Sequence, residues 1–326
     1  MNDINRRKTS VALLSIISNA CLVGLKLLIG LFIGSVSVMS EAIHSGVDLL
    51  AAIIAYFSVR ESAKPADKDH PFGHGKVENM SGTIEALLIF MAAVWIIYES
   101  VHKLLYPPKD LATPGLGVAV MLLSCIVNIF VSGRLFKVGT ETDSMALKAD
   151  AWHLRTDVYT SLGVMAGLAL IWGLETLFPW MNVEWLDPVA AIGVALLIFK
   201  AAYTLTKQSS RDLLDVSLPD EEEALIRHHI REFAPTVRGF HRLRTRKAGA
   251  QRYVEFHMLV DGRMTVDESH RITDLLRDAI REHYPRTIVT IHIEPCENKC
   301  TEECKNDCLL IKKEREQVKT ELKEGV

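Results

Sequence analysis

The stretch Val36-Ser37-Val38-Met39-Ser40-Glu41-Ala42-Ile43-His44-Ser45-Gly46-Val47-Asp48-Leu49-Leu50-Ala51-Ala52-Ile53-Ile54-Ala55-Tyr56-Phe57-Ser58-Val59 decides how this chain is read. It is long enough to cross a bilayer core, which takes ~20 mostly apolar residues. Yet it carries ionisable His44 and Asp48 inside the apolar run. Five further stretches match it in length: about Val11 to Gly34, Met80 to Leu105, Gly115 to Val138, Ala146 to Leu174 and Pro188 to Thr206. The second and fifth stretches are the weakest by hydropathy, because both hold charged residues. The expected fold class is therefore an α-helical membrane domain of six transmembrane helices over residues 11–208, preceded by a polar, basic N-terminus at 1–10. The first run lacks a small-residue cleavage site and is too long for a signal h-region, so it reads as retained.

Lysine and arginine in the connections set the orientation. Arg6, Arg7 and Lys8 precede the first span, and Arg60, Lys64, Lys68 and Lys76 join the second to the third. Arg134, Lys137 and Lys148 lie between the fourth and fifth, and Lys207 and Arg211 follow the sixth. The opposite loops hold Lys103 and Lys109 in one case and no basic residue over Glu175–Asp187 in the other. With six spans, all the basic connections fall on one side. That places both termini in the cytoplasm of a multi-pass protein of the inner (plasma) membrane. A net charge of −3 gives no reason to expect nucleic acid as a partner.

Two pieces of the chain echo one another. Ala42-Ile43-His44-Ser45-Gly46-Val47-Asp48 and Ala151-Trp152-His153-Leu154-Arg155-Thr156-Asp157 both read A-x-H-x-x-x-D, and both sit inside a predicted span. Residues four apart share a helix face, so each histidine aligns with its aspartate. Ionisable side chains at bilayer depth cost at least ~2.5 kcal/mol each on insertion scales and usually mark a pathway or a site. If the two helices face each other, His44, Asp48, His153 and Asp157 offer two imidazole nitrogens and two carboxylates. That set suits tetrahedral Zn²⁺, and also Cd²⁺ or Co²⁺. On a soluble helix the same pairs would read as plain intrahelical hydrogen bonds. A metal on these groups competes with protons, because it needs neutral imidazole and ionised carboxylate.

Beyond about Leu218 the pattern becomes that of a soluble protein. A helix opens at Pro219-Asp220-Glu221-Glu222-Glu223, with acids suited to its N-terminus. Strands are expected over Val237–Lys247 and Gln251–Val260, an amphipathic helix over Val266–His283, and a third strand over Thr287–Glu294. The order αββαβ implies an α+β domain over 209–295, with helices on one face of a small sheet. A Cys-containing, charged tail fills 296–326 and is expected to be mobile or helical. Cys296, Cys300, Cys304 and Cys308 recur at every fourth position, a spacing open to soft-metal binding, to reduced surface thiols, or to cross-links between tails. His102, His228, His229 and His283 read as surface residues.

The stretch Gly34-Ser35-Val36-Ser37 leading to His44 and Asp48, the loop Asp67-Lys68-Asp69-His70-Pro71-Phe72-Gly73-His74-Gly75-Lys76, and His153 with Asp157 together resemble the cation diffusion facilitator family. The resemblance covers about Arg7 to Pro295. It implies a homodimer of six-helix subunits, each with a metallochaperone-like (ferredoxin-like) cytoplasmic domain, exporting metal in exchange for H⁺. Two His–Asp pairs resemble the zinc and cadmium group more than the iron or manganese groups, with Fe²⁺ kept as a further substrate. The resemblance places a second metal site at Asp67, His70 and His74, a triad that taken alone could equally be a polar turn; Asp69 is an alternative carboxylate. It assigns His241, His257, His270, His292 and Glu294 to cytoplasmic metal sites near a dimer interface, and suggests a charge contact between Lys76 and Asp215. Zn²⁺ is then substrate and also a structural or regulatory ion.

Two other function classes compete. An intramembrane metalloenzyme needs an open metal position and a nearby base, whereas four ligands close a tetrahedral shell, and H-E-x-x-H is absent. A non-transporting metal sensor or scaffold would use the soluble histidines but has no need of ligands at bilayer depth.

Overall fold

The computed structural model of the chain describes residues 3–33, 36–106, 116–177, 185–297 and 302–324. The chain divides into two units, Met1–Leu213 and Leu214–Val326. The first is a bundle of six helices among the described residues: α1 (Asp3–Ile33), α2 (Val36–Ser62), α3 (Lys76–Leu105), α4 (Leu116–Glu141), α5 (Met145–Leu177) and α6 (Leu186–Leu213). Among the described residues, stretches of α1, α3, α4 and α6 are long and apolar enough by length and composition to cross a membrane. The paired motifs lie on the other two, α2 and α5. Large side chains such as Leu28, Leu31, Trp95 and Leu197 point outward, as a lipid-facing surface requires.

The polar residues from Asp3 to Ser10 form the first turns of α1. The reason lies in Lys8, which is buried and ion-paired with buried Glu78 of α3. Glu78 also accepts from Ser62 at 2.8 Å and from Ser144, so one carboxylate ties together α1, α2, α3 and the entry to α5. A buried charge left without such partners would cost several kcal/mol. Small residues allow close helix contact elsewhere. A Cβ built on Gly163 of α5 would stand 2.6 Å from Cγ2 of Val194 on α6.

The second unit is an α+β sandwich: α7 (Asp220–Glu232), β1 (Gly239–Ala248), β2 (Gln251–Val260), α8 (Val266–His283) and β3 (Thr287–Pro295), in the expected αββαβ order. The sheet runs β1-β2-β3, antiparallel then parallel, with α8 as the crossover. Alternation puts Phe240, Val254, Phe256 and Met258 against Ile226 and Ile230 of α7 and Leu276 and Ile280 of α8. The helices thus cover one face, and the other stays open. Thr265 caps α8 in a reciprocal box with Glu268.

The tail is partly docked. Arg227 grips both carboxylate oxygens of Asp307 at 2.8 Å, and Gly239 forms an isolated bridge with Cys308. Leu310 is buried, and α10 (Lys312–Glu324) follows α9 (Glu302–Asn306). The four-residue cysteine spacing does not become a helical stripe among the described residues, because α9 ends before Cys308. Cys296 and Cys308 are free thiols; Cys300, like Gly34 and Ser35, lies outside the described residues.

Candidate metal centres

The apolar turns on either side of each A-x-H-x-x-x-D motif keep α2 and α5 helical, which places ligands at fixed heights along packed helices. His153 Nε2 meets Asp48 Oδ1 at 3.0 Å. Asp48 is 5% exposed and His153 6%. One ligand atom each from Asp48, His153 and Asp157 lies within 4.8 Å of the others. Buried His153 Nδ1 has no hydrogen-bond partner among the described residues. His44 falls on α2 one turn from Asp48, but its side chain lies outside the described residues.

Several polar groups inside the bundle escaped the sequence reading. Lys26 of α1 is buried and donates to Ser45 Oγ at 2.7 Å, setting a cation next to the motif of α2. Glu85 of α3 and Asp150 of α5 are fully buried; Glu85 accepts from Ser81 at 3.0 Å. Ser15 of α1 stands beside Asp150 but outside hydrogen-bonding geometry. The signal that finds them is the one used for His44 and Asp48: an ionisable residue inside an apolar run.

A second cluster forms between α2 and α3. Asp67 Oδ1 lies 3.3 Å from His70 Nδ1, Asp67 Oδ2 lies 3.4 Å from His74 Nε2, and the two imidazole rings are 4.3 Å apart. The loop folds this way because Asp67 caps its own turn, accepting from the backbone of His70 at 2.7 Å and of Asp69 at 3.0 Å. Gly73, at φ +80, then reverses the chain so that His74 returns inward. The His70 backbone bond comes first in holding the Asp67 carboxyl below its usual range, reinforced by the two imidazoles against desolvation. The structure brings together Asp67, His70 and His74; Asp69 contributes its backbone N–H instead of its carboxylate. His74 is 7% exposed, and its Nδ1 has no partner among the described residues.

A third cluster occupies the open face of the sheet. Strand register sets His241 of β1 opposite His257 of β2, and His257 opposite His292 of β3. Ring centres are 5.1 Å apart for the first pair and 4.7 Å for the second. Glu294, two residues along β3 from His292, approaches His257 Nδ1 at 2.8 Å, His241 Nε2 at 3.2 Å and His292 Nε2 at 3.5 Å. Burial works against the ionised Glu294, but the His257 hydrogen bond and the surrounding imidazoles outweigh it and lower its pKa. Glu294 therefore delivers a carboxylate to the histidines. His241, His257 and Glu294 converge closely, His292 adjoins them, and His270 does not join. It is exposed on α8 and faces Asp274 at 3.6 Å.

Lys76 and Asp215 fall in different units. Lys76 donates to the Leu213 carbonyl at 3.3 Å, and Asp215 accepts from Arg246 at 3.4 Å.

Comparison with known proteins adds the family. Residues 12–214 match the model of the cation efflux transmembrane domain, and residues 218–296 match that of the cytoplasmic domain of cation efflux proteins. The uncharacterized transporter sll1263 of Synechocystis sp. is 38% identical over 287 residues, 88% of this chain and 90% of its own length. The cation-efflux pump FieF of Pectobacterium atrosepticum is 31% identical over 262 residues, 80% of this chain and 84% of its own. The metal-bound C-terminal domain of the CzcD transporter from Thermotoga maritima is 30% identical, covering 24% of this chain and 94% of that one at a TM-score of 0.22.

Proposed function

The chain belongs to the cation diffusion facilitator (cation efflux) family of membrane transporters, and from that membership we propose that it exports zinc-class divalent cations in exchange for protons. It is a multi-pass membrane protein that moves metal cations and is not an enzyme. The observation that carries the proposal is the convergence of Asp48, His153 and Asp157, from two packed helices, within the interior of the bundle. Nitrogen with oxygen donors favours zinc, cadmium or cobalt over magnesium or calcium.

His44, one turn from Asp48, supplies the fourth ligand in this reading. Zinc is the substrate: it enters as an ion, sheds water to imidazole and carboxylate, and leaves when protons take those groups back. Lys26, beside Ser45, tempers the negative field of the carboxylates while no cation is bound. The loop triad and the sheet cluster hold further zinc ions in structural or regulatory roles. The functional unit is a homodimer of six-span subunits in the inner membrane. Both termini are cytoplasmic.

The test is zinc uptake into inside-out vesicles with and without an imposed proton gradient. Uptake that rises when the lumen is acidic supports antiport. Zinc uptake indifferent to the gradient rejects proton coupling, and no uptake of zinc, cadmium or cobalt rejects the substrate class.

A further inference from the structure

His228 and His229 near the end of α7, with His283 closing α8, read in sequence as unrelated surface histidines. The fold brings them together around Glu232. His229 Nδ1 lies 2.9 Å from Glu232 Oε2, and His228 Nε2 lies 3.5 Å from Oε1. The rings of His229 and His283 are 5.0 Å apart, and those of His228 and His229 5.8 Å apart. His229 is 9% exposed, and its buried Nε2 has no hydrogen-bond partner among the described residues. His228 and His283 are exposed and free to adjust their rotamers.

These spacings have a chemical meaning. Two imidazoles sharing one tetrahedral zinc, with Zn–N near ~2.0 Å, set their ring centres about 5 Å apart. The His241–His257 pair of the sheet cluster shows the same separation, 5.1 Å. A metal-ligating histidine usually gives its second ring N–H to a carboxylate, which fixes the tautomer and aims the other nitrogen at the metal. Glu232 stands in that position toward His229, leaving Nε2 as the donor. The His229 hydrogen bond leads in holding the Glu232 carboxyl below its ordinary range, and His228, His229 and His283 all add to it against desolvation.

We infer that His229 and His283, with His229 oriented by Glu232 and His228 within reach, form a further site for a zinc-class cation that clamps the end of α7 to the end of α8. Imidazole donors suit zinc, cobalt, nickel and copper, and do not suit magnesium or calcium. The site lies on the helix-covered side of the sheet, whereas His241, His257 and Glu294 occupy the open side, so the two clusters bind separate ions. The inference does not rest on the transport reading. It needs only that the soluble unit folds as described.

The experiment uses the full chain in detergent, stripped of metal, with Zn²⁺ titrated at neutral pH and bound metal counted after dialysis. Co²⁺ absorption serves as the spectroscopic readout. The reference protein carries His241→Ala and His257→Ala, which removes the sheet cluster. Adding His283→Ala is expected to lower the bound zinc by one ion per chain and to remove part of the Co²⁺ d–d intensity. Because His283 is exposed, that substitution leaves folding intact; His229→Gln, close in volume, should give the same loss. Glu232→Gln keeps the ligands and is expected to weaken the site about 10- to 100-fold. Unchanged zinc stoichiometry and affinity in both the His283→Ala and His229→Gln proteins would overturn the inference. So would a loss seen with His228→Ala but not with His283→Ala, since the ion would then sit on α7 and not join it to α8.

Discussion

His153 carries more of the functional reading than any other residue. Its Nε2 meets Asp48 across two helices, and Asp157 follows it by one turn. In the proposed four-ligand shell, removing one ligand leaves buried carboxylates facing an incomplete set. His153→Ala is therefore expected to reduce zinc-driven proton flux by at least about 100-fold, since even outer partners of metal ligands are worth 10–100-fold. Flux in reconstituted vesicles measures this, and near-wild-type flux would remove His153 from the site. The loop triad makes a separate residue-scale prediction. Asp67→Asn keeps the turn acceptor but loses the charge between His70 and His74, so one bound zinc should be lost without loss of transmembrane flux if that ion is regulatory. Metal counting on the purified variant decides it.

At the scale of elements, the membrane bundle depends on close approach. Val194 is β-branched and stiff within α6, so it cannot easily yield to a methyl group on Gly163. Gly163→Ala is expected to force α5 and α6 apart and to cost about 1–3 kcal/mol, as overpacking does. A lower thermal unfolding midpoint in detergent is the measurement. In the soluble unit, Thr265→Ala removes the cap of α8 and should cost about 1 kcal/mol, read from urea unfolding. The same cap predicts a pH dependence. The Thr265 backbone N–H, followed by its hydroxyl, holds the Glu268 carboxyl below its usual range. A depressed folded pKa means that this stabilisation is fully present above the ordinary Glu value. It is lost as pH falls through the folded one. Glu268→Gln should flatten that acid limb.

At the scale of the whole molecule, two units with different solvents share one chain. The membrane unit turns apolar surface outward, while the soluble unit buries Phe240, Phe256 and Leu276 under α7 and α8. Beside the His229–His283 group, three clusters of zinc-type ligands recur among the described residues of the two units, which is what a protein handling such cations at several points would carry. Acidifying the lumen of inside-out vesicles should accelerate zinc uptake severalfold, and dissipating the gradient should return it to the basal rate. The sequence by itself determined where the long apolar helices run, the αββαβ order and the matched His–Asp spacing. All of these rest on local periodicity and on the cost of placing ionisable groups in an apolar run. It also exposed the strand histidines, but not their alignment, because register depends on which residues of neighbouring strands pair. Only the tertiary structure decided that His241, His257 and His292 form a row closed by Glu294, and that His270 stands apart. It alone joined Lys8 to Glu78, docked Asp307 on Arg227, and gathered His229 and His283 around Glu232. In each case the partners lie far apart along the chain or on different elements, and no spacing rule reaches across a packed interface.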